Sequence, residues 1–440
     1  MYYLKNFKNM TKRFIFSVAA IAIMLVSCSQ NDMEVTNIPT SDAITLSPST
    51  AVTRAGITDF NTLADLNGGF RVFATTGTNP TDWYADHATP SVSIDGNNKH
   101  VYDGSKWNFN TPVMWPEKGN YPIDFYAFFP INHSAMPLLG TTTTSNLKLD
   151  VTIPTQVSQQ IDIVSAHGQA TTKPATASLS LNFDHILSKV NFAVTNTRPG
   201  NDPDDIAYVQ AVGFKDVNQK NVFDVIDQVW NVNGANKLEI FNYYQTFIEG
   251  GTGGTNLLDE TEFKLDNVRE NFYTTSTNPT LANANMMLLP QVPANLWKVT
   301  KGVNSTPNDG QAHVRVMYRY ELSDDVDYIG FRDASTHPEY ATSSLKDRVP
   351  AYTGHLYVLA GFTYEGTWVE GKGYLYNIPL PGTGGGRLLD EYLYDEYGNR
   401  TDLKYPGGEE GEPVITEDEY IHLIPIVTKW DEQLPENVDY

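Results

Sequence analysis

Short apolar–polar alternations set the limits on what this chain can fold into. Leu147, Leu149 and Val151 alternate with Lys148 and Asp150, and Leu179, Leu181 and Phe183 with Ser180 and Asn182. Val190, Phe192 and Val194 repeat the pattern. Val314, Val316, Tyr318 and Tyr320 share one face of a run whose other face carries Arg315, Met317 and Arg319. A period of two puts one set of side chains on one face of a strand, and long helix-period stretches are scarce. With 32 Gly and 25 Pro cutting these runs short, the chain reads as all-β, with many turns and few short helices.

The strand reading extends along the chain. Residues 70–74 form a strand. His100, Val101 and Tyr102 pair with 106–109 as a hairpin, because Asp103-Gly104 favours the tight primed turns. Residues 123–129 are a strongly apolar strand closed by Pro130, and 161–164 begin the next set. Val209, Ala211 and Gly213 open a strand pair that turns near 218–221. Residues 356–363 and 373–380 are core strands, and 420–430 are the last strand. Pro425 lies within it and cannot donate to a ladder, so that strand belongs at an edge or carries a bulge. The stretch 198–205, RPGNDPDD, has nothing to bury and marks a domain boundary. Residues 390–419 read as an acidic, Tyr-rich, solvated insertion.

The first 54 residues decide where the protein lives. Lys5, Lys8, Lys12 and Arg13 precede a charge-free apolar run over 14–26, too short to span a bilayer. This is a secretory signal, with translation starting at Met1 or Met10. It ends Leu25-Val26-Ser27-Cys28, and Cys28 is the only cysteine. That exit has the form of a bacterial lipoprotein signal, so Cys28 is the lipidation site and 1–27 are removed. Residues 28–54 form a polar tether with one strand, in which Ile44 and Leu46 share a face. Arg54, between Thr53 and Ala55, is a lone basic residue among small ones, open to an arginine-specific protease if exposed. Formal net charge is −22. The signal holds four of the basic residues and no acid, which leaves the exported chain at −26, 26 basic against 52 acidic. Such a surface repels phosphate backbones and excludes nucleic acid as a partner.

No enzyme signature stands out. There is no G-x-S-x-G, H-E-x-x-H or C-x-x-C. The run 382–387, GTGGGR, lacks the last glycine of a dinucleotide loop and reads as a Gly-rich break. His185 reads as a buried or turn histidine. The acidic stretches 202–205 and 324–327 lack the spacing of a calcium loop, and no metal or cofactor is expected. Trp83, Trp107 and Trp115 read as core, or as a sugar-binding face.

Taken in order, several strings resemble the fimbrillin family, the pilins of the Bacteroidales type V pilus, in its Mfa-like branch. They are the Leu-Val-Ser-Cys exit, Thr53-Arg54-Ala55, Val113-Met114-Trp115-Pro116 and the 125–130 run FYAFFP. Further on come IDIVSA at 161–166, LNFDHILSKV at 181–190, MLLPQ at 287–291, GYLY at 373–376 and IVTKW at 426–430. The resemblance implies two tandem β-sandwich domains of transthyretin-like topology, over 55–200 and 205–440. It implies an outer-membrane lipoprotein precursor, held by lipid on Cys28 and cut between Arg54 and Ala55. The cut discards the strand of Ile44 and Leu46, and a strand from a neighbouring pilin subunit refills the slot. The donor comes from the C-terminal end, here Ile424, Ile426 and Trp430. The mature protein is then a cell-surface fimbrial subunit, with an adhesive role if it sits at the tip. The alternative from the residues alone is a monomeric surface lipoprotein that binds a host or bacterial glycan or protein.

Overall fold

A computed structural model of the chain describes residues 43–50, 70–76, 99–102, 107–109, 113–116, 121–130, 138–139, 147–155, 159–196, 206–231, 237–238, 263–266, 270–271, 286–293, 295–299, 305–322, 325–328, 356–380, 386–395, 399–404, 410 and 422–429. Cys28, Arg54, Ala55 and Trp430 lie outside them, as do the boundary stretch at 198–205 and Trp83. The chain divides into Met1–Thr40, which also lies outside them, and Ser41–Tyr440.

No α-helix occurs among the described residues. In chain order the strands begin with β1 (Thr45–Thr50), β2 (Phe70–Thr76), β3 (Lys99–Tyr102), β4 (Trp107–Phe109) and β5 (Ile123–Phe129). Next are β6 (Leu138–Leu139), β7 (Lys148–Thr152), β8 (Val164–Ala170), β9 (Ser178–His185) and β10 (Ser188–Asn196). The middle of the chain gives β11 (Ile206–Lys215), β12 (Val217–Asn218), β13 (Lys220–Asp224), β14 (Val229–Trp230), β15 (Lys237–Leu238), β16 (Phe263–Asp266), β17 (Glu270–Asn271) and β18 (Met286–Leu288). Then come β19 (His313–Leu322), β20 (Asp325–Tyr328), β21 (Leu356–Tyr364), β22 (Lys372–Leu380) and β23 (Arg387–Leu388). The last four are β24 (Tyr392–Asp395), β25 (Arg400–Lys404), β26 (His422–Leu423) and β27 (Ile426–Lys429).

The first sheet closes on itself in the order β1-β4-β3-β2-β5-β8-β9. β1 is the closing strand, antiparallel to β4 and parallel to β9. Inside lies one hydrophobic core: Ile44, Leu46, Phe70, Val72, Ala74, Trp115, the odd residues 123–129, Val164, Ala166, Leu181 and Phe183. The opposite faces of β2 and β5 send Phe73, Tyr126 and Phe128 into a second, larger core. β5 is therefore covered on both faces, which explains its continuous apolar run.

The second core is built by the other large sheets. One has the order β17-β10-β22-β27, with β18 also on β10; another runs β16-β11-β19-β21-β24-β25. β19 follows the same logic as β5. Val314, Val316 and Tyr318 enter the second core, while Met317 packs on Ala211, Tyr357, Leu359 and Tyr394 behind it. Phe214, Tyr364, Trp368 and Tyr376 form an aromatic knot, with Phe214 ring centroids 5.0 Å from both Tyr364 and Trp368. Trp368 Nε1 donates to the Tyr376 hydroxyl at 2.9 Å, and that hydroxyl donates to the Glu365 carbonyl at 2.5 Å.

Four expectations change. β11 and β13 are not partners: β11 lies between β16 and β19, and β13 pairs with β7 and β14. The chain leaves β11 at Asp216, whose φ of 60° turns it toward another sheet. The acidic stretch at 390–419 is not simply solvated. β24 pairs with β21, and the adjacent Leu393 and Tyr394 are both buried because the strand is covered on both faces, Leu393 in the second core and Tyr394 in the cluster with Met317 behind it. The strand expected at 161–164 starts only at Val164 and runs on to Ala170, through polar residues on its outer face. The last strand is two strands, and Pro425 lies between them. Ladders β7–β13 and β10–β22 also join residues on either side of 198–205.

Candidate functional site

The place of β1 in the closed sheet makes it the candidate site. Its sequence, Ile-Thr-Leu-Ser-Pro, puts Ile44 and Leu46 inward, and they are 2% and 1% exposed. Parallel pairing with β9 covers its whole length, from Thr45 opposite Ser178 to Thr50 opposite Phe183. Pairing with β4 is short, Thr45 opposite Asn108 and Leu46 opposite Trp107. Before the strand proper, Ile44 N–H donates to the Val113 carbonyl at 2.7 Å, and Ala43 bridges Met114.

One carbonyl anchors the start of the strand. Ala177 O accepts from Thr45 N–H at 3.2 Å, Thr45 Oγ1 at 3.1 Å and Trp115 Nε1 at 2.9 Å. Ala177 has φ of 55°, a left-handed conformation that costs an L residue about 1–2 kcal/mol. Such strain persists where the surroundings over-determine it; three donors on one oxygen do so here. Trp115 is thus a core residue and not a sugar platform: it is buried, stacks on Tyr121 at 6.5 Å and meets Phe125 edge-on at 5.8 Å. Burial raises the Tyr121 hydroxyl pKa, with Lys173 pulling the other way.

Alternation in the sequence marked Ile44 and Leu46, and the structure places both in the core. Nothing in the sequence marked Ala177, since an alanine at positive φ leaves no composition signal. Trp115 was visible as one of three tryptophans read as core or as a sugar-binding face, and as part of the Val-Met-Trp-Pro string.

The C-terminal residues sit elsewhere. β26 runs parallel to β21, with Leu423 opposite Tyr364, and β27 runs antiparallel to β22, with Ile426 opposite Leu375. These two partners belong to different sheets, so the chain changes sheet across Ile424 and Pro425. A proline is accommodated there because no ladder crosses that point. Ile424 is 69% exposed and Val427 is 55% exposed, while Ile426 packs on Ala193 and Leu375. β27 occupies the end of its sheet's strand order.

Little here is arranged for covalent chemistry. His185 is buried at the corner between β9 and β10, with Nδ1 2.8 Å from Asp162 Oδ2. Gly386, at the end of the Gly-rich run, is a packing residue: a Cβ there would lie 2.5 Å from the Gly361 carbonyl oxygen. Among the described residues no group of three His, Cys, Asp or Glu side chains could hold a metal ion.

A family model described as fimbrillin-like matches residues 53–387. Comparison with curated proteins gives no match. Among solved structures, a fimbrial protein from Bacteroides vulgatus ATCC 8482 is 16% identical, covers 77% of this chain and 95% of its own, and has a TM-score of 0.44. A candidate cell adhesion protein from Parabacteroides distasonis ATCC 8503 is 9% identical, with 90% and 99% covered and a TM-score of 0.37. Another, from Bacteroides uniformis ATCC 8492, is 12% identical, with 88% and 98% covered and a TM-score of 0.34.

Proposed function

The chain belongs to the fimbrillin-like family, and on that premise we propose that it is a non-enzymatic, cell-surface fimbrial subunit assembled by strand replacement. It is exported as an outer-membrane lipoprotein precursor, acylated on Cys28 and cut between Arg54 and Ala55. The cut frees β1, and a strand from a neighbouring subunit takes its place. The C-terminal residues Ile424, Ile426 and Trp430 are the candidate donor toward a further subunit, and an adhesive role follows if the chain caps the filament. Its two β-sandwich domains of transthyretin-like topology, over 55–200 and 205–440, share the second hydrophobic core, to which β5, β7 and β10 contribute from one side of 198–205 and β11, β19 and β22 from the other.

The observation that carries this reading is that β1 closes the first sheet and lies directly ahead of Arg54. Its loss bares two apolar pits and unpairs the inner edge of β9. Water satisfies the exposed amides but not the pits, where Ile44 and Leu46 each contribute about 1.5–3 kcal/mol by burial. An incoming strand with apolar residues at every second position restores both terms, by β-augmentation. A head-to-tail contact of this kind does not close and grows a filament.

N-terminal sequencing of the protein from cell surfaces tests it. A start at Ala55 is expected in assembled material, with Arg54→Ala protein remaining unassembled. An acylated Cys28 on every surface copy, or filaments from Arg54→Ala protein, overturns it.

A further inference from the structure

We propose that the cut after Arg54 does not by itself release the chain from the membrane: β1 stays seated as a non-covalent anchor, and the chain leaves only when another strand displaces it. The inference rests on the strand-replacement reading above and concerns what controls the slot once the cut is made.

The contacts that hold β1 all lie downstream of the cut. Six residue pairs tie it to β9 and two tie it to β4. Ile44 N–H donates to the Val113 carbonyl, and Thr45 donates to the Ala177 carbonyl through both its N–H and its hydroxyl. Ser47 Oγ lies 2.7 Å from Ser178 Oγ. Ile44 and Leu46 are buried in one core with Phe70, Trp115, Phe125 and Phe183. Every one of these partners follows Ala55 in the chain, and none of the contacts needs the peptide bond after Arg54.

Nor is β1 an edge strand. The closed sheet sets β9 on one side of it and β4 on the other. To leave, it must break both ladders and lift two apolar side chains into water. Hydrolysis of the Arg54–Ala55 bond turns reseating into a meeting of two pieces, which loses the high effective concentration of a short connection. It leaves intact the bonds that must break for departure, and those set how often the site opens. The detached segment 28–54 keeps its acyl chains on Cys28 and stays in the membrane. The chain from Ala55 onward is then held there by the fit of β1 alone.

One slot takes one strand. A cut chain is either held on the membrane by its own β1 or joined to a neighbour by the neighbour's strand, never both. Assembly and release become a single event. The last chain of a filament, whose slot no neighbour fills, stays on the membrane through this strand.

Outer-membrane vesicles bearing the full chain test this. The chain is cut with an arginine-specific protease until its N-terminus reads Ala55, and the vesicles are floated on a density gradient. Cut chain is expected to float with them. Unacylated peptide of residues 41–52 is expected to move at least about tenfold more of it into solution, and the same peptide with Leu46→Asp to move none. In the chain itself, Ile44→Ala combined with Leu46→Ala is expected to speed departure after the cut by at least about a hundredfold, since each truncation weakens the seat by about tenfold or more. The peptide results stand whether or not that variant folds. Single cut chains in solution without peptide, appearing as fast as the cut, overturn the proposal, and so does a floating cut chain that peptide 41–52 does not displace. Cut chain in solution only as assembled filaments supports it, since a neighbour's strand has then done the displacing. Failure of the underlying reading looks different: a Cys28→Ala chain that floats equally well removes the lipid, and a chain that the protease does not open at Arg54 removes the cut, and in either case this inference falls too.

Discussion

Ala177 holds the left-handed backbone at the mouth of the β1 slot, and its carbonyl gathers three donors. Glycine adopts that conformation without a Cβ penalty, at a cost of about 0.5–1 kcal/mol in unfolded-chain entropy. Ala177→Gly is therefore expected to stabilise the protein by a few tenths to about 1 kcal/mol, read as a rise in denaturation midpoint. Residues in the aromatic knot respond to pH. Burial raises the hydroxyl pKa of Tyr364 and Tyr376 above the usual tyrosine value, with the hydrogen bond from Trp368 opposing the shift at Tyr376. Above about pH 10 the unfolded chain loses these protons while the folded chain keeps them. Stability from this pair is thus level below pH 10 and falls as pH rises further. Tyr376→Phe leaves the Trp368 N–H and the Glu365 carbonyl without their partner. It is expected to cost about 2 kcal/mol at pH 7 and to make the alkaline fall shallower, as followed by denaturant titrations from pH 7 to 12.

At the scale of the element, β1 and the link between β26 and β27 differ in what they bury. Leu46 is 1% exposed inside the closed sheet, and Ile424 is 69% exposed beside Pro425. Leu46→Ala is expected to cost about 2–4 kcal/mol, and Ile424→Ala under about 0.5 kcal/mol, in the same urea titration. The inward face of several strands could be read from sequence. Leu147, Leu149 and Val151, and later Val314, Val316 and Tyr318, alternate because one face must be buried, and they are. The hairpin of β3 and β4 was readable because Asp103-Gly104 is a local signal. Partners distant in sequence were not readable. Nothing in Ile-Thr-Leu-Ser says that it meets Ser178, and nothing near Asn218 says that β13 leaves β11 for β7. Leu393 and Tyr394 were lost among acidic neighbours, since they pack on opposite faces of β24 and make no alternation that the sequence could show. Pairing energy depends on what lies opposite, and a single strand does not record that.

For the whole molecule, net charge governs encounter: the chain cut after Arg54 keeps 25 basic and 49 acidic residues, a formal −24. At about 10 mM salt, charges act over roughly 30 Å, and at about 150 mM over roughly 8 Å. Association with other acidic subunits is expected to quicken several-fold across that range, as seen by light scattering after cleavage; a basic partner would show the opposite trend. The route of the chain from β26 on β21, through Ile424 and Pro425, to β27 on β22 bears on strength as well as shape. Tension applied beyond Lys429 reaches the four residue pairs of β27 first, and only after they yield does it load the two of β26. Both sheets are hooked by one short length of backbone, so the end of the chain gives way in two steps, and the aromatic knot beneath it is reached last.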